Sequence, residues 1–167
     1  MKIKLLFATV AFIATTMACC AQDYSNLKDF VLKDKADYPK AEAKVLECAK
    51  YILTTPLDEK NANRLYSLQF IIRWMEGTPD YSFGIDESIM KVSKSNQSLL
   101  GVYMACMTQY VLENKENSKD QKGIKYNAML MLISYAENIN NKVEINKELK
   151  KMIKAKKEDK LKEYLNV

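Results

Sequence analysis

The chain has 167 residues, a net charge of +5, four glycines and no histidine. Without histidine there is no Ser-His-Asp or Cys-His nucleophile pair and no HExxH zinc site. So few glycines leave neither a phosphate-cradling loop nor a dinucleotide fingerprint, and the charge is too mild and too mixed to predict a nucleic-acid surface.

The first residues run from Lys2 and Lys4 through "LLFATVAFIA" to "TTMACCAQ". A basic start, a short apolar core and small residues are the order of a secretory signal peptide, here residues 1–21 with cleavage after Ala21. The apolar run is shorter than the roughly 20 residues a spanning helix needs. An alternative cut before Cys19 matches a bacterial lipoprotein site except for Thr16, which stands where such sites carry Leu. The expected product is therefore secreted or periplasmic, or else lipid-anchored in the envelope through Cys19. Residues 22–167 form one predicted domain, long enough to bury a single core. Loss of Lys2 and Lys4 lowers the net charge from +5 to +3.

"DYPKAEAKVLECAKYIL" places Val45, Leu46, Ala49, Ile52 and Leu53 on one helix face, with Pro39 at its first turn and Pro56 at its exit. Before it, "SNLKDFVL" predicts a short helical turn with Leu27, Phe30 and Val31 inward. A second long helix is expected from an Asp58 cap to Glu76, burying Leu65, Leu68, Ile72 and Met75, with Ala62 continuing the stripe. It ends where Gly77 can turn left-handed and Pro79 blocks resumption. A shorter helix follows from Ile85, through Ile89 and Val92. Ser95 or Asn96 then caps "LLGVYMACMTQYVL", whose apolar residues cover most of the circumference, as in a helix surrounded by others. "ENKENSKDQKG" is a polar connector, and Asp120 caps a helix carrying Ile124, Ala128, Met131, Leu132 and Tyr135. A last helix from Asn146 carries Leu149, Met152 and Ile153, then breaks at "KKED" before Leu161, Tyr164 and Leu165.

No segment shows sustained period-two alternation, so the predicted fold is all-α. Five or six helices on short connectors are expected to stack as antiparallel hairpins or as an irregular bundle. Tyr38, Ala41, Val45 and Cys48 resemble the second helix of a tetratricopeptide repeat, where a small residue lets two helices approach, and Leu100-Gly101 resembles a first helix. Gln97 and Met104 stand where that family carries Trp and Tyr. The likeness covers about a quarter of the chain and implies a helical-hairpin array with a peptide-binding groove.

Four carboxylates, Glu76, Asp80, Asp86 and Glu87, fall within twelve residues and offer acid–base or cation chemistry if they converge. The alternative is that Asp86 and Glu87 serve a helix N-terminus and Asp80 a turn. In "RWMEGTPDYSF", Trp74, Tyr81 and Phe83 are read first as a cap on the core and second as a recognition patch, with Arg73 as a carboxylate partner. Cys48 and Cys106 form a candidate disulfide, permitted by export; otherwise they are small buried hydrophobes. Lys150, Lys151, Lys154 and Lys157 lie off the apolar stripe, as on a solvated face, with a weak basic contact to anionic membrane as the alternative.

The leading expectation is an exported, non-catalytic module that binds a protein or peptide, with no cofactor and no nucleic acid. The alternatives are a carboxylate-dependent enzyme acting on a cell-wall or glycan substrate, and a periplasmic inhibitor of another exported protein.

Overall fold

A computed structural model describes residues 23–167. The expected signal segment 1–21, its expected cleavage point and Cys19 lie outside the described residues. Among those described there are seven α-helices and no strand: α1 (Asp37–Thr54), α2 (Ala62–Gly77), α3 (Glu87–Ser93), α4 (Ser98–Glu113), α5 (Gln121–Glu137), α6 (Lys147–Lys157) and α7 (Leu161–Leu165). Short 3-10 turns occupy Ser25–Asp29, Lys115–Asn117 and Ile139–Asn141. The helix count exceeds the expected five or six because Asp159 adopts φ 57°, which separates α6 from α7.

The fold is organised around α4, which packs against α1, α2, α3 and α5. Ten of its sixteen residues are buried, from Leu99 to Leu112, which is why its apolar residues run round the whole helix. α1 contributes Ala41, Val45, Cys48, Ala49 and Ile52, all buried. α6 and α7 close the far side against α5, with Leu149, Met152, Leu161 and Leu165 inward.

Helix starts follow the side-chain oxygens that accept otherwise unpaired N–H groups. Asp86 caps α3 by accepting from the Ser88 and Ile89 N–H groups, Asp120 caps α5 at Gly123, and Asn146 caps α6 at Leu149. α2 starts later than expected. Its cap is Asn61, which accepts from the Arg64 N–H, while Asp58 accepts from Lys60 in the turn before. α3 likewise starts after Ile85, which is left 41% exposed. In the N-terminal turn Leu27 is buried and Phe30 half-buried, but Val31 faces solvent.

The largest departure is the face of α2. The stripe expected inside, Leu65, Leu68, Ile72 and Met75, is only partly covered, and Leu65 is 51% exposed. The buried residues are Arg64, Ser67, Phe70, Ile71 and Trp74. Both series have helical spacing, so periodicity does not choose between them. The second carries Phe70 and Trp74, whose rings remove more apolar surface from water than Leu or Met.

Gly77 also acts differently from expectation. It is the last residue of α2, and no described glycine has positive φ. Its role is steric: a Cβ there would stand 1.9 Å from the Tyr38 hydroxyl and 2.4 Å from its ring carbon Cζ.

Candidate functional site

Trp74, Tyr81 and Phe83 come together as one aromatic cluster at the end of α2. Ring centroids lie 5.3 Å apart for Trp74–Tyr81 and 5.8 Å for Trp74–Phe83. Trp74 has no exposed surface, and its indole N–H donates to the Tyr38 carbonyl at 3.2 Å. The Tyr81 hydroxyl donates to Glu42 at 3.1 Å; burial first, and then the Glu42 carboxylate, push it up to about 12. Arg73 points elsewhere. Its guanidinium donates to the carbonyls of Leu27, Lys28 and Phe30, and so holds the N-terminal turn against α2.

The four carboxylates near this corner have separate partners. Asp86 caps α3 and pairs with Lys125, whereas Glu87 pairs with Lys91 one turn along at 3.0 Å. Glu76 and Asp80 are exposed, and Asp80 takes part through its carbonyl, which accepts from Lys119. Burial works against charge on Asp86, but the Lys125 ammonium and the α3 N–H groups outweigh it and hold the carboxyl below its ordinary range. Among the described residues no three acidic or thiol side chains group as metal ligands.

Cys48 and Cys106 are both buried and both free, so the candidate disulfide is not formed. Each thiol sits within the helix packing of α1 or α4, and desolvation pushes Cys48 up to about 12 and Cys106 upward as well. Lys150, Lys151, Lys154 and Lys157 are all exposed. Three of them pair with acids: Lys151 with Glu148, Lys154 with Glu158 and Lys157 with Glu137.

The concave surface lies instead between α2, the end of α3 and α4. One cleft of about 590 Å³ is lined by Leu68, Ile72, Met90, Leu100, Gly101 and Met104, with the buried Ser93 and the exposed Lys94 and Gln97 completing the lining. It shares Leu68, Gln97 and Gly101 with a second of about 360 Å³ bounded by Ile52, Leu57, Arg64, Leu65 and Val102. The two clefts adjoin, and along α2 their linings run from Arg64 to Ile72, about 12 Å at 1.5 Å per helical residue. Gly101 lets α2 and α4 approach closely there: a Cβ would stand 2.6 Å from Leu68 Cδ2, so the Leu68 side chain occupies the space that a side chain at 101 would take. Two exposed hydrophobics, Leu65 and Met90, each 51% exposed, stand on their walls.

Arg64 forms the inner end. It is 8% exposed, and its Nη1 donates to the Ile52 carbonyl at 2.7 Å, the Thr55 carbonyl at 3.0 Å and the Thr55 hydroxyl at 2.7 Å. Tyr135 donates to the same Thr55 carbonyl at 2.8 Å. These carbonyls end α1, where the helix dipole favours a cation. Burial raises the Tyr135 hydroxyl and the nearby Arg64 charge opposes that rise.

Comparison of the chain with protein-family models, with curated proteins and with solved structures finds no match. The site therefore rests on its own geometry.

Arg64 was not named from the sequence, and a groove was expected only from the helical-hairpin likeness, without its lining, although a compositional signal points to the arginine. The chain has 26 basic residues, and only Arg64 and Arg73 are arginine. Both lie on α2, and both bind several carbonyls at once: Arg64 through Nη1, and Arg73 through both Nη1 and Nη2 of its guanidinium fork.

Proposed function

We propose that the protein is an exported, non-catalytic helical module that binds a protein or peptide partner in the groove between α2, α3 and α4. The observation carrying this is the α2 stripe: Leu65, Leu68 and Ile72 are spaced for burial yet line an open groove, facing Met90, Leu100 and Met104. Fully burying a Leu or Met side chain contributes about 1.5–3 kcal/mol. Leu65 and Met90 forgo about half of that, each being 51% exposed, and a partner that covers them recovers it.

The groove's length, about 12 Å, suits two turns of an amphipathic helix or about four residues of extended chain. Its apolar floor with Lys94 and Gln97 at the edge fits a segment with apolar anchors and a polar outer face. Two sequence-neighbouring pairs, α1 with α2 and α4 with α5, pack on one another. That supports a stacked-hairpin arrangement and the tetratricopeptide likeness, in which Ala41, Val45 and Cys48 have no exposed surface. Export rests on the signal pattern of residues 1–21.

The test is affinity capture from the producing cell's envelope fraction, with the wild type and a Leu65→Glu/Met90→Glu variant compared by mass spectrometry. Both positions are exposed, so the variant is expected to keep its helical circular dichroism. A partner retained by the wild type and lost by the folded variant supports the groove. A partner retained equally by both places binding elsewhere and ends this reading.

A further inference from the structure

Tyr103 on α4 is 1% exposed, and among the described residues nothing bonds its hydroxyl. That hydroxyl is not sealed in the core as the Thr108 hydroxyl is, because the residue lines a third cleft, of about 230 Å³. Asp86 lines the same cleft. Burial first, and then the Asp86 charge, raise the Tyr103 hydroxyl, which stays protonated and can donate. A buried hydroxyl without a partner is costly unless the cleft supplies one.

The cleft lies where α4, α5 and the residues leading into α3 meet. Tyr103 and Met107 come from α4, Gln121 and Ile124 from α5, and Gly84 and Asp86 from the approach to α3. The Gln121 amide donates to the Ser82 carbonyl at 3.2 Å, whereas among the described residues no donor reaches its Oε1. That oxygen faces the open side of Gly84, 3.9 Å from where a Cβ would stand. Lys125 bridges the Asp86 carboxylate and the Leu165 carbonyl, which leaves one ammonium N–H over.

Size and charge narrow the ligand. The volume is below the roughly 300 Å³ at which pockets for drug-sized molecules begin. Asp86 and Lys125 neutralise each other, so an anion would face Asp86, and a cation would face Lys125 and the exposed Lys122. The unused groups are a hydroxyl, an amide oxygen and an ammonium N–H. Ligand hydroxyls match that mixture, since each both donates and accepts. Met107 and Ile124, both buried, give the cleft an apolar wall for the C–H face of a ring.

We infer that this cleft binds a neutral monosaccharide, its hydroxyls on Tyr103, Gln121 and the Asp86–Lys125 pair and its C–H face against Met107 and Ile124. The site shares no lining residue with the α2 groove, goes beyond the partner-binding reading and stands without it.

The test titrates the protein with D-glucose, D-galactose and D-mannose, and with gluconate and protonated glucosamine as charged molecules of similar size, following amide chemical shifts. One or more of the hexoses is expected to bind at millimolar concentration and to shift the amides of Gly84, Tyr103 and Gln121, with both charged probes about fivefold weaker. Tyr103→Phe removes only a hydroxyl that the fold leaves unbonded. It is expected to keep the wild-type urea midpoint and to lose about fivefold in hexose affinity. If that variant does not fold, the comparison of neutral and charged probes in the wild type decides. Leu65→Glu/Met90→Glu, which tests the groove, is expected to leave hexose binding unchanged. No shift with any of the three hexoses, shifts confined to another surface, or equal binding of gluconate or glucosamine would each overturn the inference. So would unaltered affinity in folded Tyr103→Phe, or hexose binding lost with the groove variant.

Discussion

Gly101 on α4 and Leu68 on α2 are in direct contact across the groove floor, so close that a Cβ on the glycine would stand 2.6 Å from Leu68 Cδ2. The atom it meets is the end of a flexible side chain, so Gly101→Ala displaces Leu68 rather than separating the helices. Alanine also gains up to about 1 kcal/mol in helix propensity. These effects oppose one another, and denaturant unfolding should place the variant within about 1 kcal/mol of the wild type. The displaced Leu68 makes the groove shallower, so affinity for a captured partner should fall several-fold while stability holds. A fall in stability and binding together would instead mean that α2 and α4 had moved apart.

Gly77 behaves differently because its neighbour is a ring. A Cβ would overlap the Tyr38 hydroxyl, Cζ and Cε1, and Tyr38 is held in the first turn of α1 beside the Trp74–Tyr38 hydrogen bond. Gly77→Ala is expected to destabilise by about 1–3 kcal/mol, as overpacking does. Near-ultraviolet circular dichroism should change as Trp74 loses its fixed surroundings. Gly77→Ala combined with Tyr38→Ala should recover part of the loss, whereas a purely conformational role for the glycine would leave the double variant no better.

Thr108 has no exposed surface, and its hydroxyl has no hydrogen-bond partner. An unpaired buried hydroxyl costs about 1–3 kcal/mol, and valine has nearly the same shape. Thr108→Val should therefore raise the urea midpoint, corresponding to about 1 kcal/mol. A lowered midpoint would show that the hydroxyl has a partner in solution.

Asp86 makes α3 docking sensitive to acid. Its folded-state value lies below the ordinary 3.8 because the Lys125 pair and the α3 N–H groups outweigh its partial burial. The contribution is thus complete above 3.8 and disappears as pH falls through the lower folded value. Urea unfolding of the wild type and Asp86→Asn should show a stability gap near pH 6 that closes toward pH 2.5. A gap constant across that range would assign the loss to the cap hydrogen bonds alone.

The two thiols should be silent in the folded protein. Burial pushes Cys48 up to about 12 and raises Cys106 too, so little thiolate exists at pH 8. Iodoacetamide is expected to leave the native chain unmodified and to label both cysteines in 6 M guanidinium. Rapid labelling of the native protein, or a residues-22–167 mass two units low with neither site labelled after unfolding, would contradict free buried thiols.

The groove went unread in the sequence for a definite reason. On α2 the series Leu65, Leu68, Ile72 and the series Ser67, Phe70, Ile71, Trp74 both repeat at helical spacing, and each is a plausible inward face. Which one is covered depends on where α1 and α4 sit, and that involves contacts far apart in the chain. Arg64 was hidden in the same way: its carbonyl partners belong to Ile52 and Thr55, and no local pattern pairs a side chain in one helix with the end of another. In contrast, the cap at Asp120, the helix start at Asn146 and the surrounded character of α4 were legible, because each depends on residues within a few positions of one another.

By itself, then, the sequence determined that the chain is helical, roughly where its helices begin and break, and that it carries no histidine and only four glycines. Those properties follow from local periodicity, capping oxygens and composition. Only the tertiary structure decided that Trp74 is covered, that Leu65 and Met90 stand open across a groove, and that Arg64 is drawn inward to the end of α1. Burial is a competition among faces for a limited interior, and its outcome is set when all the helices pack together.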